Sequence, residues 1–226
     1  YAICIQAGAI AAVLWLYFGR IRQMAQGLFG KDKDGLRMVV ILMAAFIPAA
    51  FLGLLLNKMI KAHLFGMWPV IAAWFAGGLV ILALPYLKTE NREQVNAEKS
   101  LDQLRVRTAL VIGFAQCIAM WPGVSRSLVT ILGGVLVGLS LPAAVEFSFL
   151  LGLITLGAAT CYDAVKHGHA MLQAYDGFSL LVGLITAFIF AVLSMKWMVA
   201  YLNRHGLSIF GHYRIAAALV AAVLFL

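Results

Sequence analysis

Charge is what this sequence has least of. Only 12% of its 226 residues are Asp, Glu, Lys or Arg, and just nine are acidic. A soluble domain carries about 25% charged residues, so the deficit excludes a chain that covers itself with a hydrated surface. Cysteine is also sparse. Cys4, Cys117 and Cys161 lie in or beside apolar runs at spacings that fit neither a disulfide framework nor a metal site, and they read as small packing residues. No H-E-x-x-H, Walker A or G-x-G-x-x-G pattern is present. The five histidines, His63, His167, His169, His205 and His212, fall in predicted loops and read as solvated. There is no charged leader. The chain opens on Tyr1 inside an apolar run, which leads to the expectation that residues precede it.

What is present instead is apolar residue, 64% of the total. Uncharged stretches of about 18 residues or more are long enough to cross a hydrocarbon core of about 30 Å. Six segments stand out, at residues 1–18, 38–56, 67–87, 143–165, 178–201 and 215–226. Between residues 108 and 140 the pattern differs. Two short apolar runs flank Trp121-Pro122-Gly123-Val124-Ser125-Arg126-Ser127, and neither spans a bilayer alone. Two half-helices around a Pro-Gly break predict a re-entrant hairpin over about residues 108–140. The expected fold is an all-α polytopic membrane protein, a single integral membrane domain over residues 1–226.

The net charge of +8 could point to nucleic acid, but the basic residues sit in short loops, where lipid head groups and topology account for them. Five lie in residues 19–37 (Arg20, Arg22, Lys31, Lys33, Arg37) and five in residues 88–107 (Lys88, Arg92, Lys99, Arg105, Arg107). If the hairpin returns to its own side, Lys196, Arg204 and Arg214 join these on the cytoplasmic face, against Lys58, Lys61 and Lys166 outside. That 13-to-3 split obeys the positive-inside rule. Counting the hairpin as one spanning helix breaks it.

The seventeenth cation, Arg126, stands at the hairpin tip. A cation at membrane depth costs roughly 2.5–3.5 kcal/mol on insertion scales and marks function by default. The half-helix that starts near it offers unpaired amides, which attract anions. A guanidinium binds phosphate oxygens in pairs, and Ser125, Ser127 and Thr130 add hydroxyls. Together these describe a phosphate-shaped site. The competing reading pairs Arg126 with Glu146, the one acid well inside a spanning segment. Glu146 is thus a counter-ion, a metal ligand or an interfacial group. Gln6 and Gln116 are either interhelical hydrogen-bond partners or ligand contacts. The glycine pairs Gly77-Gly78 and Gly133-Gly134 suit close helix packing.

Pro122-Gly123-Val124-Ser125-Arg126-Ser127 with Thr130-Ile131 resembles the P-G-x-S-R-S-x-x-T-I motif of the bacitracin-resistance family, the undecaprenyl-diphosphate phosphatases. Glu146-Phe147-Ser148-Phe149-Leu150-Leu151, Gly113-Phe114-Ala115-Gln116-Cys117, Ile5-Gln6-Ala7-Gly8 and Ile47-Pro48-Ala49 also look like that family, and the resemblance covers the whole chain. It implies an enzyme of the bacterial inner membrane with two re-entrant hairpins in an inverted repeat. The enzyme removes the terminal phosphate of undecaprenyl diphosphate and so returns the carrier lipid to cell-wall synthesis. It implies a catalytic set of Arg126, Ser125, Ser127 and Thr130, with substrate contacts at Gly123, Gln6 and Glu146. It further implies a divalent cation (Mg or Ca), an active site open to the periplasm and a polyprenyl diphosphate partner among membrane lipids, and it leaves room for a homodimer. Two departures stand out. The family's E-x-x-x-E and P-x-S-S-x-x-H stretch is absent before residue 1, so this polypeptide is expected to be inactive alone. Leu128-Val129 also replaces a frequent Gly-Ala. The rival expectation is a small inverted-repeat transporter or lipid flippase, since half-helices at mid-membrane also serve transport.

Overall fold

A computed structural model describes residues 2–89, 99–174 and 176–225, and their side chains except at 57–58, 61–63, 84–89 and 168–174. The described residues form α1 (Ala2–Leu16), α2 (Phe18–Leu28), α3 (Lys33–Leu64), α4 (Met67–Thr89), α5 (Val106–Gln116), α6 (Arg126–Leu136), α7 (Leu141–Ala174), α8 (Gly177–His205) and α9 (Ser208–Leu224). The protein is an all-α polytopic membrane protein. Among the described residues, three helical stretches are long and apolar enough to cross a bilayer, Lys33–Leu56, Leu141–His167 and Gly177–His205. The pair α1 and α2 joins them if it is taken as one bent span.

Several predicted loops are helix. Residues 18–28 are α2 rather than loop, α3 runs on through 57–64, α7 through 166–174, and α9 begins at Ser208. The reason is that apolar runs end where water begins, whereas a helix continues as long as its amides stay paired. At 1.5 Å per residue, the 34 residues of α7 reach about 51 Å, well beyond a hydrocarbon core. The polar stretch at 88–107 lies partly outside the described residues. Its described end forms a short 3-10 turn at Leu101–Gln103 before α5.

The chain packs as two compact units, Tyr1–Val39 with Phe149–Ala200, and Val40–Ser148 with Tyr201–Leu226. In the first, α1 ends at Tyr17 and α2 leaves at an 84° bend. Helix α2 closes on Gly30 at φ +73°, with Gly30 N–H donating to the Gly27 carbonyl and Lys31 N–H to that of Gln26. This is the Schellman arrangement, which requires a left-handed residue. Asp32 then caps α3, accepting from the amides of Asp34 (2.9 Å) and Gly35 (3.0 Å). Gly27 and Gly35 let the backbones of α2 and α3 touch. Gln6 on α1 accepts a hydrogen bond from Thr160 on α7 at 3.2 Å, and Trp15 meets Phe188 edge-on.

In the second unit, α4 and α9 run together, with Gly78 and Gly211 backing onto each other's backbone. Helices α5 and α6 pack against one another across Ile112 and Gly133. The core is Ile41, Leu42, Ile81, Leu101, Ile112 and Phe147, each nearly or fully excluded from solvent. At about 25 cal/mol per Å², burying a side chain of this kind contributes roughly 1.5–3 kcal/mol where the alternative is water.

Candidate active site

The break between α5 and α6 is built from local chemistry. Helix α5 tightens into a 3-10 turn at Cys117–Met120. Trp121 is extended (φ −70°, ψ 120°), as the residue before a proline must be. Pro122 has no amide to continue the ladder. Gly123 takes φ +93°, and Val124 N–H closes the turn onto the Trp121 carbonyl at 3.0 Å. Proline then a left-handed glycine at the two central positions is the type II pattern. Gly123 is also needed for space, because a Cβ there would lie 2.8 Å from the Val70 carbonyl oxygen and 3.2 Å from Ala73 Cβ.

Ser125 starts α6. Its side chain accepts from Leu128 N–H at 3.3 Å, and its carbonyl accepts from Val129 N–H at 3.1 Å. The amides of Arg126 and Ser127 find no acceptor among the described residues. Arg126 is half-buried, and its guanidinium has no hydrogen-bond partner among them. The helix N-terminus therefore presents two free donors and a free cation on one turn, which suits an anion.

The other predicted site residues divide. Thr130 is 1% exposed. Its hydroxyl lies 3.0 Å from the Arg126 carbonyl and 3.1 Å from that of Ser127. It is also 2.7 Å from the Ser148 hydroxyl, itself buried on α7. A hydroxyl has one proton, so Thr130 and Ser148 share donor and acceptor roles and stitch the first turn of α6 to α7. Ser127 is half-buried beside Arg126. Glu146 is half-buried on α7. It stands two residues from Ser148, which turns it about 200° away from the face that meets Thr130. Gln6 belongs to the other compact unit, bonded to Thr160. Gln116, at the end of α5, is 3% exposed with its side-chain oxygen unbonded.

Three residues at the break were not singled out from the sequence. The Trp121 indole donates to the Pro69 carbonyl at 3.0 Å. Ser148 sat within a recognised string but had no assigned partner. Arg214 was counted only as a loop charge, yet it lies within α9 and donates to the Gly123 carbonyl at 2.8 Å. Its one sequence signal was a cation at the start of an apolar run.

The model of the family Bacitracin resistance protein BacA matches residues 1–220. The chain belongs to this family. Among curated relatives, the undecaprenyl-diphosphatase of Sorangium cellulosum (strain So ce56) is 47% identical over 215 residues, covering 95% of this chain and 69% of the relative. Undecaprenyl-diphosphatase 2 of Rhodospirillum rubrum is 42% identical over 220 residues (97% and 78%). Undecaprenyl-diphosphatase 1 of Chromobacterium violaceum is 43% identical over 222 (97% and 79%). Family membership fits what the break offers, which is recognition of a phosphorylated group by backbone donors and arginine. Among the described residues no three His, Cys, Asp or Glu side chains gather into a cation site, so no step is routed through a metal here.

Proposed function

We propose that this protein hydrolyses undecaprenyl diphosphate to undecaprenyl phosphate and inorganic phosphate, with the N-terminal turn of α6 holding the diphosphate. The observation that carries the proposal is the half-buried Arg126 at the start of α6, on the same turn as the unbonded amides of Arg126 and Ser127. Water oxygen bonds to the terminal phosphorus as the anhydride P–O bond breaks, and the lipid phosphate leaves with the bridging oxygen. Negative charge moves onto the bridging and equatorial oxygens in that step. Donors fixed in advance at a helix start stabilise it without reorganising. Arg126 grips two oxygens in its planar fork, Ser127 lends a hydroxyl, and Ser125 keeps the turn capped. The Thr130–Ser148 pair fixes the helix that carries them. The polyprenyl tail remains among the membrane lipids. Placement in the bacterial inner membrane, with the site opening to the periplasm, rests on the resemblance, and the 13-to-3 charge split bears only on which loops face the cytoplasm. The divalent cation rests on the resemblance alone.

The test is phosphate release from undecaprenyl diphosphate by detergent-purified full-length protein, with thermal stability measured on the same samples. Arg126→Ala should cut turnover by about 10³-fold or more, in the range of other arginines at phosphoryl transfer. Arg126→Lys keeps charge without the fork and should recover only part. A folded Arg126→Ala protein that turns over normally removes the assignment. A destabilised one restored by adding Glu146→Gln makes Arg126 structural instead.

A further inference from the structure

We infer that Arg214 is the positioning residue that fixes the Pro-Gly break, and through it the aim of Arg126, without touching the substrate. The inference rests on the reading of α6 as the diphosphate site. Arg214 lies two turns into α9. Ala73 and Gly77, one turn apart on α4, face it. Gly77 leaves a notch, for a Cβ there would stand 2.8 Å from Arg214 Nη2 and 3.0 Å from its Nε. Seated in that notch, Nη2 donates to the Gly123 carbonyl at 2.8 Å and the Ala73 carbonyl at 3.3 Å. Arg214 Nε is buried and has no hydrogen-bond partner among the described residues.

A cation in such a place is costly, and leaving one of its donors unbonded costs more. Among the described residues no carboxylate pays for it; only carbonyl dipoles answer the charge. The position is therefore not explained by pairing. It is explained by what the Gly123 carbonyl belongs to. That carbonyl belongs to the second central residue of the type II turn, in the peptide that leads out of it, two residues before the Ser125 cap and three before Arg126. Rotating this peptide swings the first turn of α6 and every donor on it. Gly123 backs closely onto the Val70 carbonyl and its own carbonyl is held by Arg214, while the Trp121 indole pins the turn's first residue to Pro69. Arg214 completes a clamp that leaves the turn one conformation. Preorganisation of that kind is where enzymes gain on charge development.

The experiment is a double-mutant cycle in the full-length protein, reading kcat and KM for undecaprenyl diphosphate together with thermal stability. Arg214→Ala should lower kcat/KM by about 10²-fold, with most of the loss in kcat. In an Arg126→Ala background the same change should cost less than about threefold, because a misaimed group that is already absent cannot be lost twice. Gly77→Ala is the second variant. It keeps Arg214 but pushes the guanidinium from its notch, and it should give a milder loss, about tenfold, that likewise vanishes when Arg126 is Ala. Gly77→Ala carries the test if Arg214→Ala does not fold. Full multiplication of the Arg126 and Arg214 losses overturns the inference, because it means independent contact with the substrate. So does a kcat unchanged in Gly77→Ala. If Arg126→Ala itself has no effect, the site reading fails rather than the role of Arg214. If Arg126→Ala is inactive while Arg214→Ala is normal, only the positioning role fails.

Discussion

Two helix breaks divide the labour in this protein. Between α1 and α2 the direction changes by 84° at the single residue Tyr17, and Tyr17 keeps both of its own backbone bonds. Tyr17 N–H reaches the Val13 carbonyl and Ile21 N–H reaches that of Tyr17, both at 3.0 Å. Between α5 and α6 lie nine residues, the first four a 3-10 turn, and two amides emerge with no partner among the described residues. The first break is a bend imposed by packing, with the Tyr17 ring against Phe149 and α2 against α3. The second is written into the residues themselves. At the first break the turning residue is itself fully bonded, whereas the second leaves donors for a ligand.

Substitutions at the two breaks should therefore fail differently. The largest effect is expected from Gly123→Ala. The left-handed backbone alone costs about 1–2 kcal/mol for an L side chain, and the Val70 carbonyl blocks the new methyl. Turnover per folded molecule should collapse along with the melting temperature. A stable, active Gly123→Ala protein would show that the turn can relax without moving Arg126. Next comes Gly27→Ala, where the methyl would fall on the Leu36 amide nitrogen between α2 and α3. Overpacking of about 1–3 kcal/mol should lower thermal stability, while kcat of the folded fraction stays within about twofold. A selective loss of kcat would dissolve the contrast between the breaks.

Ser125 sharpens the comparison with a smaller effect. Ser125→Ala should cost about 1 kcal/mol as a lost cap, and Ser125→Gly only a few tenths. If melting follows that order and activity follows it too, the hydroxyl acts as a cap. If Ser125→Gly melts normally but is inactive, the hydroxyl contacts phosphate directly. The smallest effect lies away from both breaks. Asp176 precedes α8 and is held below the usual carboxylate range first by the Ser179 side chain, then by the Ser179 amide at 3.0 Å. A depressed folded value means this contribution is present above the ordinary Asp range and lost as pH falls through the folded one. Asp176→Asn should therefore flatten the acid side of the stability curve slightly. An identical acid limb in both proteins would mean the cap is idle.

How far the sequence spoke follows the same division. Trp121-Pro122-Gly123 announces its turn because proline, glycine and the capping serine act on their immediate neighbours. The long spans were legible from length and apolarity. Helix α2 was not, since Leu16-Tyr17-Phe18 contains no breaker and the bend comes from contacts elsewhere in its unit. The reach of α3 and α7 past their apolar stretches was hidden for a different reason, as polarity reports the solvent and not the backbone. Ser148 and Arg214 were missed because each takes its meaning from a distant partner. Thr130 stands 18 positions from Ser148, and Gly123 stands 91 from Arg214. Gln6 was legible as a polar group in an apolar helix, and its bond to Thr160 is the interhelical one of its two readings.

The feet of the hairpin hold a last consequence. Lys99 N–H donates to the Gly138 carbonyl at 3.0 Å, and Ser140 N–H donates back to the Lys99 carbonyl at 3.1 Å. Gly138, at φ +95°, ends α6 in a Schellman turn that delivers both groups. Tying the ends of about 40 residues costs roughly 3 kcal/mol of loop entropy, met once, at the base. Everything enclosed is then local, α5 against α6 with a turn between. Such a segment suits a foldon, a piece that closes early on its own stem and exchanges its amide protons together. The donors at its tip would then be set by the piece before the surrounding helices finish packing.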